Sequence, residues 1–198
     1  MKKLVLIIAV AFMAVVNSKA VVIPDGKVEK SEVVTLTAKL NTTMALNLDN
    51  DDITFEFNTL EDYQNGLGGI EGDYASEGSV SSTSNWKLSY KANGAFTHED
   101  GATTMPLDNV GLSAAFTGSN KVSNNASADA LPLSSERTEI IGHDGINSNA
   151  GDEKSNSFII YWEMGTKGKR LNSESLFEQD LKKGVYNTEV EFIATEVL

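Results

Sequence analysis

The sequence predicts an all-β fold, an antiparallel β-sandwich of seven or eight strands with one short helix. Three observations carry that expectation. Apolar residues alternate with polar ones through most of the chain, the period of a half-buried strand. Clusters of Gly, Asn, Asp and Ser separate the alternating segments, as turns between strands do. Helical spacing occurs in one short stretch only.

The first alternating segment covers residues 33–40. Val34, Leu36, Ala38 and Leu40 share one face, with Thr35, Thr37 and Lys39 on the other. After Asn41-Thr42-Thr43 the pattern resumes at Met44, Leu46 and Leu48. Asp49-Asn50-Asp51-Asp52 makes a turn, and Ile53, Phe55 and Phe57 then alternate with Thr54 and Glu56. Residues 62–84 are rich in Gly, Ser, Asn and acids and read as a long loop. Trp86, Leu88, Tyr90 and Ala92 mark the next strand, and Val110, Leu112, Ala114 and Phe116 another. Residues 118–130 are again polar and loop-like. Ile140-Ile141 marks a short strand, and Phe158, Ile160, Trp162 and Met164 share a face opposite Ile159 and Tyr161. The helix candidate is 173–183, with Ser173 as cap, Leu176, Phe177 and Leu181 on one face and Gly184 as stop. Val190, Phe192 and Ala194 form the last strand. With no repeat of fixed period and no proline-rich linker, residues 21–198 are expected to form a single sandwich domain.

The N-terminus points to a compartment. Lys2 and Lys3 precede an apolar run over residues 4–16, and Ser18-Lys19-Ala20 places small residues where a signal peptidase reads. Residues 1–20 are therefore expected to be a secretory signal peptide, cleaved after Ala20. The run is short for a membrane span, and no later segment is long and apolar enough to be one. The chain has no cysteine, so neither a lipid anchor nor a disulfide is available. A short leader on a cysteine-free product suits a bacterial surface or extracellular protein, exported by way of the periplasm. The net charge is −12, and cleavage would remove three lysines with the leader. Such a surface repels nucleic acid and anionic lipid, so neither is an expected partner.

The motifs that suggest chemistry each have a plainer reading. Asp144, Asn147, Asn149 and Asp152 offer the oxygen ligands of a calcium loop. Ile146 stands where an EF-hand needs an oxygen, so the segment reads as a hairpin loop of turn formers. Residues 49–52 carry a weaker version of the same suggestion. Gly66-Leu67-Gly68-Gly69-Ile70-Glu71-Gly72 has Glu71 where a dinucleotide fingerprint needs glycine, and reads as a flexible loop. His98 and His143 fit no zinc pattern, and no G-x-S-x-G elbow occurs. The acid pairs Glu61-Asp62 and Glu99-Asp100 fall in polar turns rather than across a cleft. No catalytic set, metal or cofactor is expected, and the protein is not read as an enzyme. Trp86 and Trp162 sit mid-strand among apolar residues, which fits core packing. On an exposed face the same two rings would stack on sugars.

Two stretches resemble a known family. VVIPDGKVEKSEVVTLTAKLNTTMALNL, residues 21–48, sets Val28-Glu29-Lys30 ahead of the alternating Val34-Thr35-Leu36-Thr37-Ala38. It looks like the start of the alpha-type (CS1-like) fimbrial major pilins. Gly184-Val185-Tyr186 followed by an alternating strand is similar to the last strand of pilins and other Ig-like fibre subunits. The resemblance implies an incomplete sandwich filled by an N-terminal strand from the next subunit, which is β-strand addition. The donor would be residues 33–40, with Val34, Leu36, Ala38 and Leu40 as groove-filling side chains. The same four residues serve equally as the first strand of a complete sandwich. The expectation is a secreted, non-catalytic structural or adhesive protein, a pilin-like subunit or matrix component. Its partners would be copies of itself or related envelope subunits, joined through residues 33–40 or 187–195. The alternative is a carbohydrate-binding module that holds a glycan on Trp86 and Trp162.

Overall fold

The computed structural model describes residues 16–22, 28–50, 52–70, 72–127 and 129–197. Residues 1–15 of the expected leader, Asp51 of the acidic turn and Glu71 of the glycine loop lie outside them. The chain divides into two compact units, Met1–Asn41 and Thr42–Leu198. In the first, β1 (Val16–Val22) pairs antiparallel with β2 (Val28–Val34). The expected cleavage point after Ala20 falls inside β1. Residues 35–41 have no regular structure. The strand expected over 33–40 is therefore formed only at Val33 and Val34. Alternation marks a face fit for burial, but a strand also needs a neighbouring backbone, and the remaining residues have none.

The second unit is an antiparallel sandwich. Its elements are β3 (Met44–Leu48), α1 (Leu60–Asn65), β4 (Leu67–Gly68), β5 (Ala75–Ser82), β6 (Trp86–Ala92), β7 (Phe96–His98) and β8 (Thr104–Met105). A 3-10 turn (Leu107–Asn109) leads into β9 (Val110–Phe116), β10 (Val122–Asn124), β11 (Leu131–Pro132) and β12 (Thr138–His143). The chain ends through β13 (Ser157–Met164), β14 (Tyr186–Asn187) and β15 (Val190–Glu196). One sheet has the order β11-β9-β13-β5-β3, with β4 against the end of β13. The other has the order β10-β12-β6-β15, and β14-β7-β8 form a small third sheet. Seven of these strands reach five residues or more.

Strand alternation decides what faces the facing sheet. Trp86, Leu88 and Tyr90 of β6 are wholly buried with Ile140 and Ile141 of β12. They share one core with Val80 of β5, Leu112 of β9, and Phe158 and Ile160 of β13. A bulge between Glu139 and Ile141 lets two consecutive isoleucines enter the core. Each such side chain contributes roughly 1.5–3 kcal/mol on burial, and this core stands in for the missing disulfides.

Three elements differ from expectation. β5 lies within the residues 62–84 read as loop. Its sequence, ASEGSVSS, lacks the large branched and aromatic residues typical of strands. It is nevertheless central, between β13 and β3. Small residues fit there because Phe158, the cross-strand neighbour of Gly78, lays its ring over it; a Cβ on Gly78 would stand 2.5 Å from that ring. The helix α1 lies in the same stretch and starts at a capping box. Thr59 Oγ1 accepts from Asp62 N at 3.1 Å, and Asp62 Oδ2 accepts from Thr59 N at 2.8 Å. By contrast, the helix expected over 173–183 is reduced to turns. Ser175 N and Oγ donate to Glu178 Oε2, both at 2.8 Å, which starts a turn. The Gln179 amide is then drawn to Asn109, with bonds of 2.8 and 2.9 Å. These tertiary bonds outweigh a marginal helix propensity.

Tyr90 gives the core a pH dependence. Its Oη donates to Pro132 O at 2.7 Å, and burial pushes the phenol up to about 12. A phenol with a folded pKa above its unfolded value holds stability that is complete below about pH 10 and lost as pH rises toward 12. Denaturant unfolding should therefore show roughly 2–3 kcal/mol of loss across that window. Tyr90→Phe should lose about 1 kcal/mol at neutral pH and show a flatter alkaline limb. An unchanged limb in the variant would assign the loss to other groups.

Candidate strand-acceptor groove

Both tryptophans are core residues. Trp86 is fully buried and Trp162 is 7% exposed. The Trp162 Nε1 donates to Ser76 Oγ at 3.3 Å, and its ring meets Phe192 edge-on. Neither ring presents the open face that sugar stacking requires.

The loop with the calcium-like composition has a different task. Buried Asn149 acts as a substitute strand partner for Trp86. Its Oδ1 accepts from Trp86 N at 3.0 Å, its Nδ2 donates to Trp86 O at 2.9 Å, and its backbone O accepts from Trp86 Nε1 at 2.8 Å. Asp144 Oδ1 accepts from the backbone of Ile146 and Asn147, and its Oδ2 from Asn147 Nδ2. These bonds hold the Asp144 carboxyl down at about 2. Asp152 accepts from Ser155 N, and Asp49 from Glu77 N. The carboxylates thus serve turns and a strand end. The glycine loop is also structural, because a Cβ on Gly68 would lie 2.1 Å from Trp162 O. Asn149→Ala should cost about 2–4 kcal/mol by leaving the buried Trp86 amide unpaired. Chelator should leave the thermal melts of both proteins unchanged, and a fall with chelator would reinstate the calcium reading.

The four strand-exchange candidates point to water. Leu36 is 77% exposed and Leu40 95%, and Val34 and Ala38 are exposed as well. The other candidate, residues 187–195, is mostly β15, which pairs with β6 from Val190↔Ala92 to Glu196↔Trp86. Val190, Phe192 and Ala194 pack against the core. β15 is thus a fixed strand, and among the described residues its outer edge has no strand beside it.

That outer edge is one wall of a groove of about 1000 Å³. The opposite wall is residues 53–57. Ile53, Phe55 and Phe57 are half-buried and turned inward, while Thr54 and Glu56 are exposed. Phe55 stacks on Tyr74 with centroids 4.4 Å apart, and Phe57 lies against Tyr63. The side chains are arranged as in a strand, yet among the described residues the backbone of 53–57 has no ladder partner. Trp162, Met164, Val110 and Leu133 form the apolar floor. The site is a sandwich flank with side chains in place and backbone pairing unmade.

The β15 wall continues upstream into a lip that is firmly built. Tyr186 pairs with His98, and His98 Nε2 contacts Lys183 O at 3.1 Å. Gly184 passes so close that a Cβ would lie 2.2 Å from His98 Nε2, and its φ is +143°. Lys182 Nζ reaches Asp100 Oδ2 at 2.8 Å. That lysine, with the backbone N–H groups of Thr103 and Ala102, holds the Asp100 carboxyl far below the usual carboxylate range. The lip is therefore a formed wall.

No known protein family matches the chain, and no characterised protein is significantly similar to it in sequence. The groove is thus read from its own geometry. Hydrogen exchange gives the direct check. Amides of residues 53–57 should exchange many-fold faster than those of β13, despite the burial of Ile53, Phe55 and Phe57. Equal protection would mean that a partner for this backbone exists within the monomer.

Proposed function

We propose that this protein is an exported, non-catalytic structural subunit of a bacterial surface that assembles by strand addition. The observation that carries the reading is the groove wall at 53–57, where side chains are ordered as a strand and backbone donors and acceptors are left open. An extended segment laid in the groove pairs those groups and covers the apolar floor, the two contributions that strand addition combines. The pilin-like features at the two chain ends, the exposed alternating face over 34–40 and the leader all support the same reading. Export processing supports it too. Cleavage after Ala20 would remove the five residues of β1 that pair with Lys30 through Val34, leaving that part of β2 without its partner. The acidic charge keeps free subunits apart until a specific pairing forms.

The expected behaviour is concentration-dependent self-association of the secreted protein. Light scattering should show mass rising with concentration, and exchange of the 53–57 amides should slow in the assembled fraction. A protein that stays at its 21.3 kDa full-chain mass, or at the leaderless mass, at every concentration would defeat the proposal.

A further inference from the structure

The groove reading leaves open whether a subunit fills its own groove, and chain geometry answers this. Resting on that reading, we infer that the occupant is the 34–40 segment of a second copy, inserted with Leu40 at the Phe57 end of the groove and antiparallel to β15.

The sandwich unit starts at Thr42, whose Oγ1 donates to Glu196 Oε1 at 3.0 Å. The chain thus enters beside the C-terminal end of β15. The groove lies toward the opposite end, between residues 48–57 and residues 181–192. β3 covers the interval, so the near mouth at Leu48 is roughly 20 Å from Thr42 at 3.3 Å per residue. Counted back from Thr42, a fully extended chain brings Leu40 no further than about 7 Å and Leu36 about 20 Å. A subunit's own Leu36 therefore reaches only the mouth, and its own Ala38 and Leu40 never enter. The residues with enough reach are those before 36, which include Glu29, Lys30 and Glu32. Placing these along an apolar floor would bury unpaired charge. The apolar segment lies at the wrong end of its own groove and fits only that of another copy.

Polarity follows from where the donor's own sandwich must sit. Only Asn41 separates Leu40 from Thr42, so the donor's body stands directly at the end of the groove that Leu40 occupies. At the Leu48 end, β3 and β15 close together and leave no room. The Phe57 end is open and carries Leu60 and Phe177, each 57% exposed, which the incoming body would cover. Leu40 therefore lies at the Phe57 end, and the donor runs antiparallel to β15, the more stable pairing. With Val34, Leu36, Ala38 and Leu40 inward, Lys39 emerges among the exposed Glu56, Glu189 and Glu191. Each copy donates at one end and accepts toward the other, a heterologous contact that propagates.

The test uses full-length variants. Leu36→Asp disables the donor at an exposed position, and Phe55→Asp disables the acceptor. Val185→Asp, on the lip and 55% exposed, is a second acceptor variant in case Phe55→Asp unfolds. Each variant alone should be monomeric, and a 1:1 mixture of donor and acceptor variants should give a species of twice the monomer mass and nothing larger. A mixture that stays monomeric overturns the inference. Assembly of Leu36→Asp alone, with the acceptor variants inert, also overturns it while the groove reading stands. Wild-type-like assembly of both acceptor variants overturns the groove reading itself. The chain has no native cysteine, so polarity is read by disulfide trapping. Lys39→Cys in one copy should trap with Glu56→Cys in another, and exclusive trapping with Asn50→Cys would reverse the assigned direction.

Discussion

Five consecutive backbone units at residues 53–57 have strand side chains and no strand beside them, and the open flank of the molecule follows from that. Where β3 pairs with β5, from Met44↔Ser82 to Leu48↔Gly78, the sandwich is closed. Beyond Leu48 the chain turns through residues 49–52, held by Asp49 to Glu77 and by Asn50 to Ala75. It then leaves the edge of β5 altogether. The flank is thus half closed and half open, and the change occurs at one turn. Ile53, Phe55 and Phe57 keep their inward positions because the floor and Tyr74 hold them by apolar contact alone. Side-chain burial fixes conformation here without backbone pairing, the reverse of an ordinary solvated edge strand.

The facing wall is rigid for a complementary reason. β15 is locked to β6 over seven paired residues, and its upstream end is pinned by His98, Asp100 and the passage of Gly184. Neither wall can move across to close the gap without breaking these contacts. A groove between two immobile walls keeps its width, so an added strand meets pairing groups already in position. The ordering entropy of such a site is lost when the monomer folds, and the incoming segment loses only its own.

Much of this was legible in the sequence and some was not. Period-two alternation located β3, β6, β9, β12, β13 and β15, because each buries one face against the other sheet. It also marked 53–57 and 34–40 correctly as apolar-faced, but alternation reports burial and is silent about backbone pairing. The same signal therefore describes a paired strand, an unpaired groove wall and an exposed segment. β5 escaped because a central strand beneath a large cross-strand ring is built from Gly and Ser, the composition of a loop. The helix expected over 173–183 was lost to the Asn109–Gln179 amide pair, a contact across 70 residues that no local pattern carries. Trp86 was legible as core. Its partner Asn149 was hidden in a loop whose composition imitates a cation site, and only its 0% exposure reveals the role.

The one-residue link between Leu40 and Thr42 sets the mechanical character of any array built this way. A long linker would tether bodies loosely and let each subunit rotate, and at a net charge of −12 per chain they would drift apart. With Asn41 alone between donor and sandwich, the next body must rest against the groove end where Leu60 and Phe177 are bare. Insertion then buries two surfaces together, the donor's apolar face and that end patch. The like charge of the bodies is opposed locally by Lys39 among three glutamates. Charge thus discourages random contact while the inserted strand fixes the single contact that geometry permits. Stiffness and directionality have a common origin: a donor too close to its own body to fold back, and a groove too far along that body to be reached from within.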